Sequence, residues 1–357
     1  MIASRVVAVV IVTALMPAVA ACSGGAPPES PPASASVSAT ASGSASPSPS
    51  PVAAPGRCPG TGRAPAAAGA GVSPPAAPVA LPGQPVGLAA VGPDVFVALP
   101  SVDAVARVDP ARGTVTGSVA VGGVPLRLAV AGGGVWVSEF GHGTVARIDP
   151  RSLTVTCRVQ VGAQPEGLTA DGGTLWVVLQ AGRALVAVDA ATGAVRSRIR
   201  LPGAREPRAV VAGGGLVWVS DYEANRLFVV DPAARRVVRS LSPCRTPQGL
   251  AVAAGRVWVA CAVPGRVVGV PLSGTGKAAQ YAVDDQPDGL AADGGRLFVT
   301  RANGPRLTVL DTRRGRPGAA LVLGDTGVPS ADVDVVVLRG QVWVGSFNES
   351  VLHHRRL

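Results

Sequence analysis

Val135-Trp136-Val137 returns along the chain as Leu175-Trp176-Val177, Val217-Trp218-Val219, Val257-Trp258-Val259 and Val342-Trp343-Val344. All five tryptophans of the 357-residue chain stand in this one slot. Phe96 in Asp94-Val95-Phe96-Val97-Ala98 and Phe298 in Arg296-Leu297-Phe298-Val299-Thr300 fill the two missing turns of the series. From Phe96 onward the spacings are 40, 40, 42, 40, 40 and 45 residues. An aromatic flanked by valines, recurring seven times at this period, predicts a radial β repeat.

The rest of each unit reads outward from that slot. Upstream comes Pro-x-Gly-Leu or a variant: Pro85-Val86-Gly87-Leu88, Pro125-Leu126-Arg127-Leu128, Pro165-Glu166-Gly167-Leu168, Pro207-Arg208-Ala209-Val210, Pro247-Gln248-Gly249-Leu250, Pro287-Asp288-Gly289-Leu290 and Pro329-Ser330-Ala331. A Gly-rich turn follows, then the aromatic strand, then a strand ending at Asp109, Asp149, Asp189, Asp231 or Asp311. An alternating strand such as Thr154-Val155-Thr156-Cys157-Arg158-Val159 closes the unit. Short Val-rich runs bounded by Gly, Pro and Asp are strands. Asp-Pro pairs suit the third-to-fourth-strand turn, where Asp accepts the turn amides and Pro presets φ. Each unit is therefore a four-stranded blade, strands a to d from the inside out, and the fold class is all-β, a seven-bladed β-propeller. The seventh unit has strands a, b and c and then the chain stops. Pro78-Val79-Ala80-Leu81-Pro82-Gly83 resembles the strand-d ends of other units, so residues 76–82 are expected to supply the outer strand of the last blade. Closing the ring in this way removes an open pairing edge.

Residues 1–21 read as an export signal: Arg5, a short apolar core from Val6 to Ala14, then Val19-Ala20-Ala21 before Cys22. Small residues directly before a Cys resemble the lipobox of bacterial lipoproteins, which implies lipidation at Cys22. The other reading is an ordinary secretory signal with an incidental Cys. Residues 22–75 are rich in Ser, Ala and Pro, with Glu29, Arg57 and Arg63 as their charges. Such a segment buries too little apolar surface to fold and is expected to be a disordered tether. As a coil it would reach roughly 40 Å, and about 150 Å if polyproline-like. Residues 76–357 form the propeller. The expected localisation is extracytoplasmic, with the lipid as the only membrane contact and the domain a monomer.

The formal net charge is +10, but a single Lys, Lys277, stands among 32 basic residues. The densest cluster, Arg196, Arg198 and Arg200, alternates along an outer strand, where charge prevents sheet-to-sheet association. This favours solvated edge charge over attraction by anionic envelope polymers, and both over nucleic acid. Four cysteines remain besides Cys22. Cys244 precedes strand a of blade 5 and Cys261 ends strand b, so the two lie at one end of a hairpin and suit a disulfide. Cys58 and Cys157 are left as a second pair. No CxxC is present and no His accompanies these thiols, so no metal site is expected at them.

In a propeller the d–a and b–c connections surround one mouth of the central channel, where ligands bind. The residue after each repeat Pro places Val86, Leu126, Glu166, Arg208, Gln248, Asp288 and Ser330 around that mouth, apolar on one side and polar on the other. The b–c loops add Glu139, Phe140 and His142 from blade 2, Asp221, Tyr222, Glu223 and Asn225 from blade 4, Arg301 and Asn303 from blade 6, and Phe347, Asn348 and Glu349 from blade 7. Aromatics beside carboxylates and amides suit a peptide, a carbohydrate or an envelope protein as ligand. The competing reading is ordinary loop polarity. Histidines are few, His142, His353 and His354, and no Ser-His-Asp set, phosphate loop or His-metal motif can be assembled from spacing. No cofactor is therefore expected.

Val145-Ala146-Arg147-Ile148-Asp149-Pro150, with Val159-Gln160-Val161-Gly162, Pro165-Glu166-Gly167-Leu168 and Leu175-Trp176-Val177 after it, resembles the YVTN-type propeller repeat of extracytoplasmic bacterial proteins. It is also similar to the repeats of virginiamycin B lyase (streptogramin lyase) and of NHL propellers. The resemblance covers residues 76–357. The YVTN branch implies a binding or scaffold module at the cell envelope. The lyase branch implies a metal-dependent ring-opening elimination at the channel mouth, using a divalent cation with His and acidic residues; a lactonase-like activity belongs to the same alternative. Here the Pro-x-Gly positions carry no His, and His142 with Glu139 would be the catalytic candidates.

Overall fold

The computed structural model describes Cys58 and residues 77–284, 286–302, 306–313, 316–318, 320–323 and 332–357. Cys22, Asn303 and Pro329 to Ala331 lie outside the described residues.

The described residues fold as a seven-bladed β-propeller. Blade 2 shows the plan: Pro125–Ala131, Gly134–Glu139, Thr144–Asp149 and Thr154–Gln160 pair in sequence order as strands a, b, c and d. Blades 1, 3, 4 and 5 repeat it, and in blade 6 the outer position is divided between Arg316–Pro317 and Leu321–Val322. In blade 7, Asp332–Leu338, Gln341–Ser346 and Val351–Arg356 are strands a to c. The outer strand is Val79–Ala80, paired antiparallel with Val79 opposite Leu352 and Ala80 opposite Val351. An N-terminal strand thus closes the last blade, as the sequence predicts.

The Val-Trp-Val triplet explains the ring. Successive side chains of a strand face opposite ways, so the aromatic points to one neighbouring blade and its flanking valines to the other. Trp136 packs with Leu175 and Val177 of blade 3, and Trp176 with Val217 and Val219 of blade 4. Trp218 packs with Val257 and Val259, and Trp258 with Leu297 and Val299. Phe298 meets Val342 and Val344, while Trp343 closes the circle on Val95 and Val97 of blade 1. All seven aromatics are buried. Each contributes about 2–3 kcal/mol of apolar burial.

The glycine of Pro-x-Gly-Leu serves close approach between innermost strands. A Cβ on Gly167 would stand 2.1 Å from the Arg208 carbonyl oxygen, and one on Gly249 2.4 Å from that of Asp288. Between the Pro and the Leu the a–b register slips by one residue, a bulge that turns the intervening side chains toward the axis.

That register corrects one sequence assignment. In blade 6, Pro287 pairs with Arg301 and Leu290 with Val299; in blade 7, Asp332 pairs with Ser346 and Val335 with Val344. The blade 7 slot is therefore Asp332-Val333-Asp334-Val335, not Pro329-Ser330-Ala331. Val333 takes the position assigned to Ser330, and Asp334 takes the glycine position. Asp332 keeps the eleven-residue distance to Trp343 that every other repeat shows, whereas Pro329 does not.

Two disulfides are present. Cys244 and Cys261 join the two inner strands of blade 5 (S–S 2.05 Å), and Cys58 joins Cys157 on the outer strand of blade 2 (S–S 1.99 Å). Cys58 is buried, and its amide donates to the Thr192 carbonyl of blade 3 at 3.0 Å. The chain is thus fastened to the cleft between the outer edges of blades 2 and 3, far upstream of its first strand.

Candidate functional site at the channel mouth

Glu166, Arg208, Gln248 and Asp288 stand one per blade, at the bulge of strand a in blades 3 to 6. Hydroxyls of strand b fix the backbone that carries them. Ser138 accepts from the Arg127 amide (3.0 Å) and donates to the Glu166 carbonyl (2.9 Å). Ser220 does the same between the Ala209 amide and the Gln248 carbonyl (3.1 and 2.7 Å). Thr300 accepts from the Gly289 amide at 2.7 Å.

Arg208 is held on three sides. Its guanidinium pairs with Glu206, with Nε donating to Oε1 at 2.8 Å. Nη1 donates to Gln248 Oε1 at 3.3 Å, and the Tyr222 ring lies over the guanidinium, 4.4 Å from centroid to Cζ. Glu166 accepts from Gln180 Nε2 at 2.7 Å. On the other side, Arg127 donates to the Val86 carbonyl at 2.9 Å and lies 3.7 Å from Asp334 Oδ2, which accepts from the Leu88 amide at 2.9 Å. Arg127 thereby reaches across blade 1 to blade 7. Asp288 differs: among the described residues its carboxylate has no hydrogen-bond or ion-pair partner.

The electrostatics follow from enclosure. Burial pushes the carboxyls of Glu166, Asp288 and Asp334 above their ordinary values. The arginines oppose this without cancelling it, Arg208 and Arg127 at Glu166 and Asp288, Arg127 alone at Asp334. For Arg208 burial acts downward, but Glu166, Glu206 and Asp288 outweigh it and its pKa rises. Four carboxylates and two guanidiniums therefore share a partly dehydrated mouth, where burial disfavours the charged forms of Glu166, Asp288 and Asp334.

The loop residues behave differently. Glu139 is buried and pairs with Arg158 Nε (3.0 Å) and Thr144 Oγ1 (2.5 Å). Asp221 is buried and accepts from the amides of Arg205, Glu206 and Ala224 (2.8, 3.0 and 2.8 Å), tying its own turn to the segment that leads into strand a. His142 is exposed and rests on the Gly122-Gly123 turn; a Cβ on Gly123 would stand 2.5 Å from its Nδ1. Phe140 is half-buried, Glu223 and Asn348 are exposed, and Arg301 is buried. Tyr222 joins the inner ring by stacking on Arg208. Among the described residues no three His, Cys, Asp or Glu side chains converge as a metal site would require.

Arg127, Asp334, Glu206 and Gln180 were not legible as site residues by slot position alone. Arg127 and Asp334 both replace the repeat glycine, and that departure is the signal that marks them.

Neither a protein-family model nor a curated protein matches the sequence. Solved structures similar to the chain include the hydrazine synthase of Kuenenia stuttgartiensis, with TM-score 0.67 and 19 % identity over 78 % of this chain and 96 % of that one. They also include virginiamycin B lyase of Staphylococcus aureus, with TM-score 0.67 and 13 % identity over 79 % of this chain and 99 % of that one. A catalytically inactive His-to-Ala variant of that lyase, with quinupristin, gives TM-score 0.66 and 13 % identity over the same shares. At these identities the likeness shows the propeller fold alone.

Proposed function

We propose that this chain is a lipid-anchored, extracytoplasmic propeller that binds a polar envelope ligand at the channel mouth without turning it over. The ligand class is a peptide, a carbohydrate or a segment of an envelope protein. The observation that carries the reading is Asp288, an enclosed carboxylate left without a partner beside side chains that hold one another. Arg208 is oriented by Glu206, Gln248 and Tyr222. A ligand N–H or O–H at Asp288 would meet a rigid, partly dehydrated acceptor, where a hydrogen bond to a charged group contributes about 1.5–3 kcal/mol. Lipid at Cys22 would keep the domain at the membrane.

The test uses capture from solubilised envelope. Wild-type protein is expected to retain a component that Asp288→Asn loses, with the folded state intact by circular dichroism. Quinupristin incubated with the wild type is expected to stay unchanged. Turnover of quinupristin, abolished by His142→Ala in a folded protein, would replace the binding reading with a lyase-like one.

A further inference from the structure

Charge is distributed unevenly around the ring. Residues 77–182, which make up blades 1, 2 and half of blade 3, carry six arginines and seven carboxylates. Residues 183–239, from there through blade 4, carry ten arginines and five carboxylates. The excess lies at the outer edge. Arg196, Arg198 and Arg200 on strand d of blade 3 (Val195–Arg200) are exposed, as are Arg235, Arg236 and Arg239 at the neighbouring strand d of blade 4 (Arg236–Leu241). Asp189 neutralises Arg196. Among the described residues the side chains of Arg200, Arg235 and Arg236 have no hydrogen-bond or ion-pair partner. The corresponding strands of blades 1 and 5, Thr114–Ala120 and Ala279–Ala282, bear no charge.

A second observation falls on the same edge. Cys58 is tied to Cys157 and donates to Thr192, only a few residues before Arg196. Cys58 is thus fixed beside blade 3, away from the first strand at blade 7. Thirty-five residues separate Cys58 from Cys22. As a flexible coil that length reaches roughly 30–35 Å.

We propose that the arginine-bearing outer edge of blades 3 and 4 is a docking surface for an anionic lipid bilayer, and that the Cys58 staple turns this edge toward it. The proposal rests on the anchored reading for the nearness of the membrane, but not for the charge. A basic surface near anionic headgroups gains about 1 kcal/mol per arginine, decaying within a Debye length. A tether leaving from the opposite side would instead place that side nearest its anchor. Docked this way, the propeller stands on its rim, and its channel mouth opens parallel to the membrane plane.

The test uses the full chain with Cys22→Ala, so that binding through lipid is absent. Sedimentation with phosphatidylcholine vesicles containing about one-third phosphatidylglycerol reads the surface alone. Salt-sensitive binding is expected, weakened on the order of 100-fold by Arg200→Gln, Arg235→Gln and Arg236→Gln together. The pair Arg355→Gln and Arg356→Gln, exposed on blade 7, is expected to leave it nearly unchanged. Equal binding to pure phosphatidylcholine, an unaffected triple variant, an equal loss in the blade 7 pair, or binding to soluble polyphosphate but not to vesicles would each overturn the proposal. Fractionation of cells carrying wild type and Cys22→Ala reads the anchor separately. A soluble wild type would sink the anchor while leaving vesicle binding intact.

Discussion

The acids of this propeller form two populations with opposite physics. At the c–d turns, Asp109, Asp149, Asp189, Asp231 and Asp311 recur in five of the seven blades, each accepting backbone amides two or three residues on. Amide donors stabilise the charged form, so Asp149 titrates below its ordinary value, first through the Ser152 amide. Asp189 falls further, to about 2, through its hydrogen bond to Arg196 and then the Thr192 amide. At the channel mouth, Glu166, Asp288 and Asp334 occur once each, and burial pushes them up. At Asp149 and Asp189 the fold favours the charged form, while at Glu166, Asp288 and Asp334 burial disfavours it. A cost borne at isolated positions in a concavity is the mark of a site.

Adjacent residues offer the largest contrast. Gly167→Ala places a Cβ against the Arg208 carbonyl and should lose about 3 kcal/mol, because the backbone of blade 4 must give way. Glu166→Gln, one residue earlier, should leave the melting temperature within a few degrees. Similar losses at both positions in chemical denaturation would show that the mouth is as much scaffold as the repeat.

Next in size is Asp189→Asn. A folded pKa of about 2 against about 3.9 unfolded corresponds to about 2 kcal/mol at neutral pH, less screening at the exposed Arg196. The sign is fixed. The folded pKa is depressed, so the contribution is present above the unfolded value and lost as pH falls toward 2. Denaturation curves of wild type and variant should therefore differ at pH 7 and converge near pH 2. A difference that does not change with pH would assign the effect to packing.

Asp288→Asn is the smallest and has the opposite sign. Its folded pKa is raised, so the group favours the folded state when protonated, and that advantage is lost as pH rises through the folded value. The variant should be more stable than wild type at pH 7 by on the order of 0.5 kcal/mol, with the gap closing as pH falls to the ordinary carboxylate range. Destabilisation at pH 7 would mean that Asp288 has a structural partner.

The sequence made the scaffold legible because packing imposes it at every turn. Phe96 and Trp343 could be placed in one slot since each must meet the valines of the next blade. Ring closure by residues 76–82 was legible because the last blade lacked one strand and a matching one lay upstream. The site was legible only in part. The slot after the Pro identified Glu166, Arg208, Gln248 and Asp288, but the partners arise from closure of the ring. No spacing rule brings Arg127 of blade 2 to Asp334 of blade 7, or Gln180 to Glu166. Blade 7 is the exception: Pro329 mimics the repeat proline, whereas strand pairing follows the distance to Trp343. Glu139 and Asp221 illustrate the converse. In sequence they are loop acids beside a channel, and in the fold Glu139 is taken up by Arg158 and Thr144, and Asp221 by the amides of Arg205, Glu206 and Ala224.

A carboxyl-carbon NMR titration of the labelled propeller tests the division between the two populations most directly. Asp189 is expected near 2, and Glu166, Asp288 and Asp334 all above their ordinary values. If Asp288 and Glu166 instead titrate at or below the ordinary range, the mouth is not an enclosed acidic site, and the proposal that it holds a ligand there is contradicted.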